Sequence, residues 1–340
     1  MIIATEQQLE NLLSEPNEAD ARAIAALEGD LLILGVAGKM GPSLARRARR
    51  ACELAGVKKR IIGVARFSTA GTREYLDRSG IETIAADLLD PDALAALPDA
   101  DNVIFMTGRK FGSTGSEHLT WAMNVFQPGT AAERFRRSRI VAFSSGNVYP
   151  MTPVLQGGST ESTPPGPVGE YAQSALGRER ILEYFSSRHG TPMTILRLNY
   201  AIDLRYGVLL DVGLKVFERR AVDLTMGHAN VIWQGDANSV CLRSFELCQS
   251  PPTILNLTGP QTISVRWLAR RFGDRFGIEP VFEGSESETA LLNNASHCHR
   301  LFGYPAVTLE QMIEWVADWI GLGGATLNKP THFEARDGRF

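Results

Sequence analysis

A short stretch near the start of the chain joins a run of aliphatic residues to three closely spaced glycines. Residues 31–34 are all aliphatic, they lead directly into the glycine-rich turn, and an alanine- and arginine-rich segment follows at once. This order predicts a buried strand, a tight turn and a helix N-terminus, the arrangement that receives the pyrophosphate of a dinucleotide. An ordinary glycine-containing loop is the alternative, but the flanking strand and helix favour the nucleotide site. The residues predicted to bind it are Gly35, Gly38, Lys39, Met40 and Gly41.

Composition narrows the class of protein. The chain has 340 residues, 44% of them hydrophobic and 21% charged, and a net charge of −3, so nothing draws it generally to nucleic acid or anionic membranes. No apolar stretch is long enough to cross a bilayer, and residues 1–30 lack the basic start and apolar block of a signal peptide. We therefore expect a cytoplasmic protein with no nucleic-acid or membrane partner.

The cysteines and histidines do not indicate a metal site. Cys52, Cys241, Cys248 and Cys298 are far apart in the sequence, and this spacing favours reduced, mostly buried thiols. The tripeptide at 297–299 is His-Cys-His, but adjacent side chains diverge and no second ligand group has matching spacing. We expect no bound metal.

The middle of the chain alternates short apolar runs with helical patterns, which is typical of a parallel sheet covered by helices. Six strands and five helices are predicted, and right-handed crossovers between them give a doubly wound, Rossmann-like α/β fold. The predicted strands are 31–35, 60–65, 82–86, 102–106, 140–144 and 193–198, and the predicted helices are 42–55, 69–79, 91–97, 116–137 and 170–189.

The same pattern suggests a division of the chain into four parts. Residues 1–30 are expected to form a helical cap, and residues 31–200 the dinucleotide-binding domain. Residues 201–320 are expected to form a smaller, partly interleaved α/β region that binds substrate, with helices at 265–276 and 309–320. Residues 321–340 are glycine-rich and then polar, which indicates a surface arm or tail. A loop rich in proline, glycine, serine and threonine at 150–167 follows the fifth strand, and we interpret it as a site rim rather than a linker.

The end of the second predicted strand bears on which dinucleotide binds. NAD-specific folds usually place an acidic residue there to bind the ribose 2′-OH, but here Ala65 is followed by Arg66. A guanidinium at that position can pair with a 2′-phosphate, so NADP is slightly preferred over NAD. Asp87 and Leu88, just after the third strand, are expected at the adenine edge. A solvated surface arginine and an ordinary loop aspartate remain the alternatives.

Two further segments carry a family resemblance. The fifth strand ends in Ser144-Ser145-Gly146-Asn147-Val148-Tyr149, and Tyr171 follows at the start of a helix. With the glycine turn and Asn124, this pattern resembles the extended short-chain dehydrogenase/reductase family. More narrowly, it is similar to the NAD-dependent epimerase/dehydratase group, which acts on sugars and sugar nucleotides. The resemblance runs from about residue 31 to about residue 320.

The resemblance implies roles for specific residues. In that family a strand-end serine and the tyrosine of a Tyr-x-x-x-Lys helix flank the nicotinamide, and these positions correspond to Ser145 and Tyr171. The tyrosine exchanges a proton with a substrate hydroxyl or carbonyl while hydride moves to or from the cofactor, and the serine hydrogen-bonds that oxygen. Further residues are implied at the cofactor, namely Thr107, Asn124 and Ser144, and at the substrate, namely Asn147, Asn199, Arg205 and Tyr206. Each of the substrate residues could equally be a turn or surface residue.

The chain departs from this family pattern at one position. Ala175 occupies the place of the motif lysine, which lowers the tyrosine pKa and holds the nicotinamide ribose. Two cations could replace it. Arg178 is three residues further along the same helix face, and Lys110 follows the fourth strand at the carboxyl edge of the sheet. We slightly favour Lys110 because a flexible ammonium reaches further, although either could be a solvated surface charge.

These observations support an NAD(P)-dependent enzyme that transfers hydride to or from a sugar, sugar acid or sugar nucleotide. It would be either an oxidoreductase or an epimerase, which is a kind of isomerase. The missing lysine motivates a second hypothesis, a catalytically weak cofactor-binding sensor or scaffold. A lyase or dehydratase that uses transient oxidation is a third. The resemblance also implies a homodimer that pairs through helices at 116–137 and 170–189.

Overall fold

The computed structural model describes residues 2–110, 112, 114–329 and 331–339. Met1, Pro330 and Phe340, which belong to the predicted terminal segments, lie outside the described residues. No helix in the described ranges is both long and apolar enough to span a membrane.

In the part of the chain that the structure describes, seven parallel strands form the central sheet, in the order β7-β6-β5-β4-β1-β2-β3. This confirms the doubly wound, Rossmann-like prediction. The central strands are buried on both faces, so their continuous aliphatic runs are what such a sheet requires. The strands are β1 Leu31–Leu34, β2 Ile61–Ala65, β3 Glu82–Ala85, β4 Asn102–Phe105, β5 Arg139–Ser145, β6 Met193–Leu198 and β7 Thr253–Leu257.

Strand β7 was not predicted. It pairs in parallel with β6, Thr253 beside Thr194 and Leu257 beside Leu198, although more than fifty residues separate the two strands in sequence. Its first two residues, Thr253 and Ile254, are half-buried and its last three are buried, as expected for a strand at the edge of a sheet. The sheet therefore takes its last strand from the region after residue 201.

Helices cover both faces of the sheet. One face packs against a core that includes Leu44 of α3, Leu242 of α10 (Gln234–Arg243) and Phe302 of α12 (Ser296–Phe302). The other face packs against a core that includes Leu94 of α5, Phe135 after α7 and Leu182 of α8. The helices from α3 to α8 are α3 Gly41–Ala55, α4 Thr72–Arg78, α5 Pro91–Ala95, α6 Glu117–Trp121, α7 Gln127–Arg134 and α8 Gly169–His189. A π-helical turn, Ala122–Phe126, joins α6 to α7, so the helix predicted at 116–137 is continuous but not regular.

Two N-terminal helices precede the sheet. Helices α1 (Glu6–Leu13) and α2 (Glu18–Ala26) begin with capping boxes at Thr5 and Asn17. In each box the side chain of the capping residue accepts from the main-chain amide three residues on, and the side chain of that third residue accepts from the main-chain amide of the capping residue. Helix α2 is fixed to α3 by a buried ion pair between Asp20 and Arg47, with atoms 2.6 Å apart.

The region after β6 has a core of its own. Helices α9, α11 and α13 pack together around Phe272, Val316 and Trp319. Short strand pairs border them, including Ala201–Ile202 with Ile232–Trp233. The helices of this region are α9 Val208–Phe217, α10 Gln234–Arg243, α11 Val265–Phe276, α12 Ser296–Phe302 and α13 Leu309–Gly321. After α13 the chain folds back onto the same molecule, and Phe333 is only 2% exposed.

Candidate functional site

The glycine turn has the backbone that its sequence predicts. Gly35 has φ +89°, in the left-handed region that favours glycine. A Cβ on Gly41 would lie 2.1 Å from the main-chain oxygen of Val36, so no side chain fits there. Helix α3 begins at this point with Pro42 in its first turn, and within the described residues no side chain caps it. The positive, N-terminal end of the helix dipole therefore faces the turn, where it can attract an anionic group.

Arg66 and Asp87 lie side by side where β2 and β3 end. Their side chains are 3.8 Å apart and about half exposed, so this ion pair is weak and leaves the Arg66 guanidinium accessible. Leu88 is buried beneath them, 4% exposed. The structure thus places the three residues predicted for the adenosine end at one edge of the sheet.

The two serines at the end of β5 have different surroundings. Ser145 makes two hydrogen bonds with Asn147. Its Oγ donates to Asn147 Oδ1 at 3.0 Å and accepts from the main-chain N–H of Asn147 at 3.2 Å. Ser144 Oγ instead donates to the buried Glu179 carboxylate at 2.6 Å, and Glu179 also holds Arg197. The partner of Ser145, Asn147, lines the cleft described next, whereas the partner of Ser144, Glu179, is buried behind it.

A cleft brings together residues from the two ends of the predicted site. It contains Ser145 and Tyr171 with the glycine-turn residues and three of the residues predicted for substrate. Its described lining is Lys39, Met40, Lys110, Ser144, Ser145, Asn147, Tyr171, Leu198, Asn199, Tyr200, Ala201, Tyr206, Gly207 and Thr331.

The two cations considered in place of the motif lysine are in different positions. Lys110 lines the cleft, where burial lowers its pKa to about 8 against the opposing charges of Asp211 and Glu334. Arg178 is fully buried behind the cleft, donating to the Phe143 oxygen and to Asn124 Oδ1, both at 2.8 Å. Burial lowers the Arg178 pKa. Of the two, Lys110 is the one that shares a cavity with Tyr171.

Lys39 reaches from the glycine turn to the opposite wall of the cleft. Its Nζ donates to the main-chain oxygen of Ala201 at 2.6 Å and lies 4.3 Å from the centre of the Tyr206 ring. Burial lowers its pKa to about 8, while the Asp203 and Asp211 carboxylates act in the opposite direction. The sequence placed Lys39 at the cofactor, but it gave no sign that this side chain bridges the cleft.

Asn124 and Thr107 connect the loop after β4 to the helices behind the cleft. Asn124 lies in the π-helical turn, where its amide group accepts from the Arg109 amide at 2.8 Å and donates to Ser174 Oγ at 2.9 Å. Thr107 Oγ1 donates to Gln127 at 2.5 Å, and its backbone borders Gly35. Both residues predicted at the cofactor therefore shape the loop that carries Lys110.

The residues predicted for substrate divide into two groups. Asn147, Asn199 and Tyr206 line the cleft. Asn199 is 2% exposed, and its Nδ2 has no hydrogen-bond partner among the described residues, which indicates a donor available to a ligand. Arg205 is directed away, because its guanidinium binds Asp203 and Glu10, each at 2.7 Å. It ties helix α1 to the loop after β6.

Sequence reasoning missed three residues around the cleft, Tyr200, Asp211 and Thr331. Burial raises the pKa of both Tyr200 and Asp211, while hydrogen bonds from Thr331 lower that of Asp211. Asp211, in the first turn of α9, accepts from the amide and the hydroxyl of Thr331 at 2.8 and 2.5 Å. No motif in the sequence links these positions to the site, because the fold alone brings them to it.

The His-Cys-His tripeptide lies elsewhere. Cys298 is buried, and His299 Nε2 is 3.1 Å from the Thr258 main-chain oxygen. No group of three or more potential metal ligands occurs among the described residues.

The chain is similar to known proteins in its family model and in its fold. The model of the NAD dependent epimerase/dehydratase family matches residues 31–201. No curated protein sequence matches the chain.

Several solved structures have the same fold. UDP-glucose 4-epimerase from Thermotoga maritima, with UDP-glucose, is 16% identical at a TM-score of 0.70, over 86% of this chain and 98% of that one. UDP-glucuronic acid 4-epimerase from Bacillus cereus, with a UDP-sugar and NAD, is 17% identical at a TM-score of 0.72. The match covers 86% of this chain and 99% of that one. The dTDP-glucose 4,6-dehydratase DesIV from Streptomyces venezuelae, with NAD, is 19% identical at a TM-score of 0.71, over 86% and 97%.

Proposed function

The chain belongs to the NAD-dependent epimerase/dehydratase family, and we propose that it transfers hydride between a nicotinamide cofactor and the sugar ring of a sugar nucleotide or sugar acid. One observation carries this proposal. Ser145, Tyr171 and two half-buried lysines, Lys39 and Lys110, line the same cleft as the end of the glycine turn. The end of the glycine turn and the proposed proton-exchanging groups therefore border one cleft, which supports a cofactor site that extends from the turn to Tyr171.

The residues fit a dinucleotide. The glycine turn is tight, since a Cβ on Gly41 would collide with the Val36 oxygen, and the amide end of α3 would attract the negative charge of the pyrophosphate. Arg66 and Asp87 would flank the adenosine ribose. The cofactor supplies the hydride acceptor, which no protein side chain can provide.

The protein's own side chains would donate and accept the proton of the reacting oxygen. Tyr171 is proposed to exchange it with the reacting hydroxyl or carbonyl oxygen, and Ser145 Oγ to hydrogen-bond that oxygen by leaving Asn147. Lys110 is proposed to supply the positive charge that the family places at the position of Ala175. It approaches from the loop after β4 instead of from the tyrosine's own helix.

On the substrate side, the Asn147 amide and the unpartnered Asn199 Nδ2 suit sugar hydroxyls or phosphate oxygens. A UDP-sugar or dTDP-sugar is the substrate class we propose, because the similar structures are complexes with such nucleotides. Arg205 is fixed to acidic partners and is expected to shape the loop rather than contact substrate.

The adenosine end is proposed to prefer NADP. Arg66 has an accessible guanidinium that can pair with a 2′-phosphate. Asp87 would oppose that phosphate, so the preference should be small.

A second copy of the chain is the partner we propose. Helices α6, α7 and α8 border an apolar groove of about 900 Å³ that includes Trp121, Val125, Phe126, Ile181 and Phe185. Phe126 is 57% exposed and Trp121 38%. A second copy can cover this surface by pairing the same helices around a two-fold axis, which gives the four-helix interface implied by the family.

Cofactor binding and turnover test the proposed function together. The purified protein is titrated with NAD, NADH, NADP and NADPH by calorimetry, and then incubated with NAD or NADP and a panel of UDP- and dTDP-hexoses. We expect cofactor binding and conversion of at least one sugar nucleotide, seen by chromatography and mass spectrometry. Absence of nicotinamide binding would overturn the proposal. Binding without any conversion would instead support the sensor or scaffold hypothesis.

A further inference from the structure

The last part of the chain reaches back to the cleft. Residues 331–339, here called the C-terminal strap, begin at Thr331, which lines the cleft. Thr331 is completely buried, and Asp211 accepts from both its amide and its hydroxyl. Phe333 packs into the core around α9, α11 and α13. These contacts anchor the beginning of the strap in the substrate-side region.

The strap touches both elements that carry the proposed proton-handling groups. At its start, the Thr331 oxygen accepts from Lys110 Nζ at 3.0 Å. Near its end, Gly338 packs against the start of helix α8, which carries Tyr171. A Cβ on Gly169 would lie 2.4 Å from the Gly338 oxygen, and a Cβ on Gly338 would lie 2.1 Å from the Val168 oxygen. The two backbones therefore meet without side chains between them.

Arg336 holds the middle of the strap. Its guanidinium donates to the Thr289 main-chain oxygen and to Thr289 Oγ1, both at 2.7 Å, and to the Thr225 oxygen at 3.3 Å. Since Thr225 and Thr289 belong to the substrate-side region, the strap is fixed at three points along its length.

We propose that the C-terminal strap is part of the active site and that Thr331 is a positioning residue that holds Lys110 toward Tyr171, with Arg336 as the strap's anchor. This inference rests on the proposed function, in which Lys110 replaces the family lysine. The carbonyl of Thr331 fixes the ammonium, and the strap excludes water from it. Asp211 keeps Thr331 in place through two hydrogen bonds.

The environment of Lys110 supplies a readout that does not require turnover. Burial lowers its pKa to about 8, whereas Asp211 and Glu334 raise it. If the strap is released, water reaches Lys110. The burial effect is the largest of the three, so its loss should outweigh the loss of the Glu334 charge and raise the pKa.

The test compares four variants of the full chain. Thr331→Val removes the hydroxyl bond to Asp211, and Arg336→Ala releases the middle of the strap without touching Lys110. Thr331→Ser retains the hydroxyl, and Arg339→Ala removes an arginine whose side chain is 80% exposed. Competitive acetylation of lysine amines across pH, read by peptide mass spectrometry, gives the titration midpoint of Lys110, with the exposed Lys58 as internal reference.

In the wild type and in the two control variants, Lys110 should titrate near pH 8. In Thr331→Val and Arg336→Ala its midpoint should rise by about one pH unit or more toward the ordinary lysine value. With a converted substrate, the same two variants should lose about tenfold in kcat with little change in the KM for cofactor. An unchanged midpoint in the folded Arg336→Ala protein would overturn the proposal. The labelling result is independent of whether the proposed reaction occurs, so the two failures are distinguishable.

Discussion

Lys110 Nζ donates a hydrogen bond of 3.0 Å to the main-chain oxygen of Thr331, which is 221 residues further along the chain. The bond joins the loop after β4 to the C-terminal strap and places a half-buried lysine in the cleft that also contains Tyr171. Because Ala175 carries no charge, and the Arg178 guanidinium on the same helix is held by the Phe143 oxygen and Asn124 Oδ1, we propose that this contact lets the site take its lysine from another part of the fold.

Cofactor affinity should depend on pH through Lys39. Its pKa is lowered to about 8, so it is charged below that pH and neutral above it. An anionic pyrophosphate at the glycine turn favours the charged form, so affinity for NAD should fall as pH rises above 8, by up to about tenfold per pH unit. Calorimetry from pH 6.5 to 9.5 measures this. Lys39→Arg should flatten the profile and Lys58→Ala should leave it unchanged. A steep profile retained by Lys39→Arg would show that Lys39 is not responsible.

Replacement of Gly41 by alanine should damage both stability and binding. The added Cβ would lie 2.1 Å from the Val36 oxygen, which is backbone and cannot move aside cheaply. We expect a loss of about 3 kcal/mol in the free energy of unfolding, together with loss of NAD binding. Chemical denaturation and calorimetry measure the two effects. Gly321→Ala is the matched control, since a Cβ there meets nothing within 4 Å. Equal stability of the two variants would contradict the close approach at the turn.

Arg66 should determine the preference between the two dinucleotides. Arg66→Ala is expected to weaken NADP binding about tenfold or more, because a charge-assisted hydrogen bond to the 2′-phosphate is lost, and to leave NAD binding nearly unchanged. Asp87→Asn should tighten NADP binding about twofold by removing a like charge. Dissociation constants for both cofactors test this. An equal effect of Arg66→Ala on NAD and NADP would refute 2′-phosphate recognition.

The apolar groove between α6, α7 and α8 should be the dimer interface. Phe126→Glu places a charge on it and is expected to raise the dimer dissociation constant about 100-fold or more. Leu155→Glu is the control, because Leu155 is 99% exposed and lies in the turn Val154–Gln156, outside these helices. Light scattering across a dilution series gives the masses. A wild-type monomer, or a Phe126→Glu variant that stays dimeric, would contradict this assignment.

The sequence predicted the fold where periodicity is local. The aliphatic runs of β1, β2 and β4 and the glycines of the turn specify strand, turn and helix through neighbouring residues, and the structure confirms the doubly wound sheet. Strand β7 was missed because more than fifty residues that do not follow the strand–helix alternation separate it from β6, so only its pairing with β6 identifies it.

The site was predictable to a similar degree. Ser145, Asn147 and Asn199 follow strands at the carboxyl edge, so their meeting in one cleft follows from topology. The direction in which a long side chain points does not follow from topology. Arg205 turns to Asp203 and Glu10, and Lys39 crosses to Ala201, because of partners that no local pattern reveals. Thr331 lies at the cleft only because the chain folds back after α13.

The hydride-transfer rate with a converted sugar nucleotide, compared among wild type, Lys110→Ala and Ala175→Lys, tests the central claim most directly. Ala175 is 1% exposed and packed against Val148 and Tyr149, and the buried Arg178 lies one helical turn further on. A second cation there should therefore disturb a rebuilt site rather than repair it. We predict that Lys110→Ala lowers the rate about 100-fold and that Ala175→Lys lowers it as well. An unchanged rate in Lys110→Ala, or a faster one in Ala175→Lys, would contradict the account.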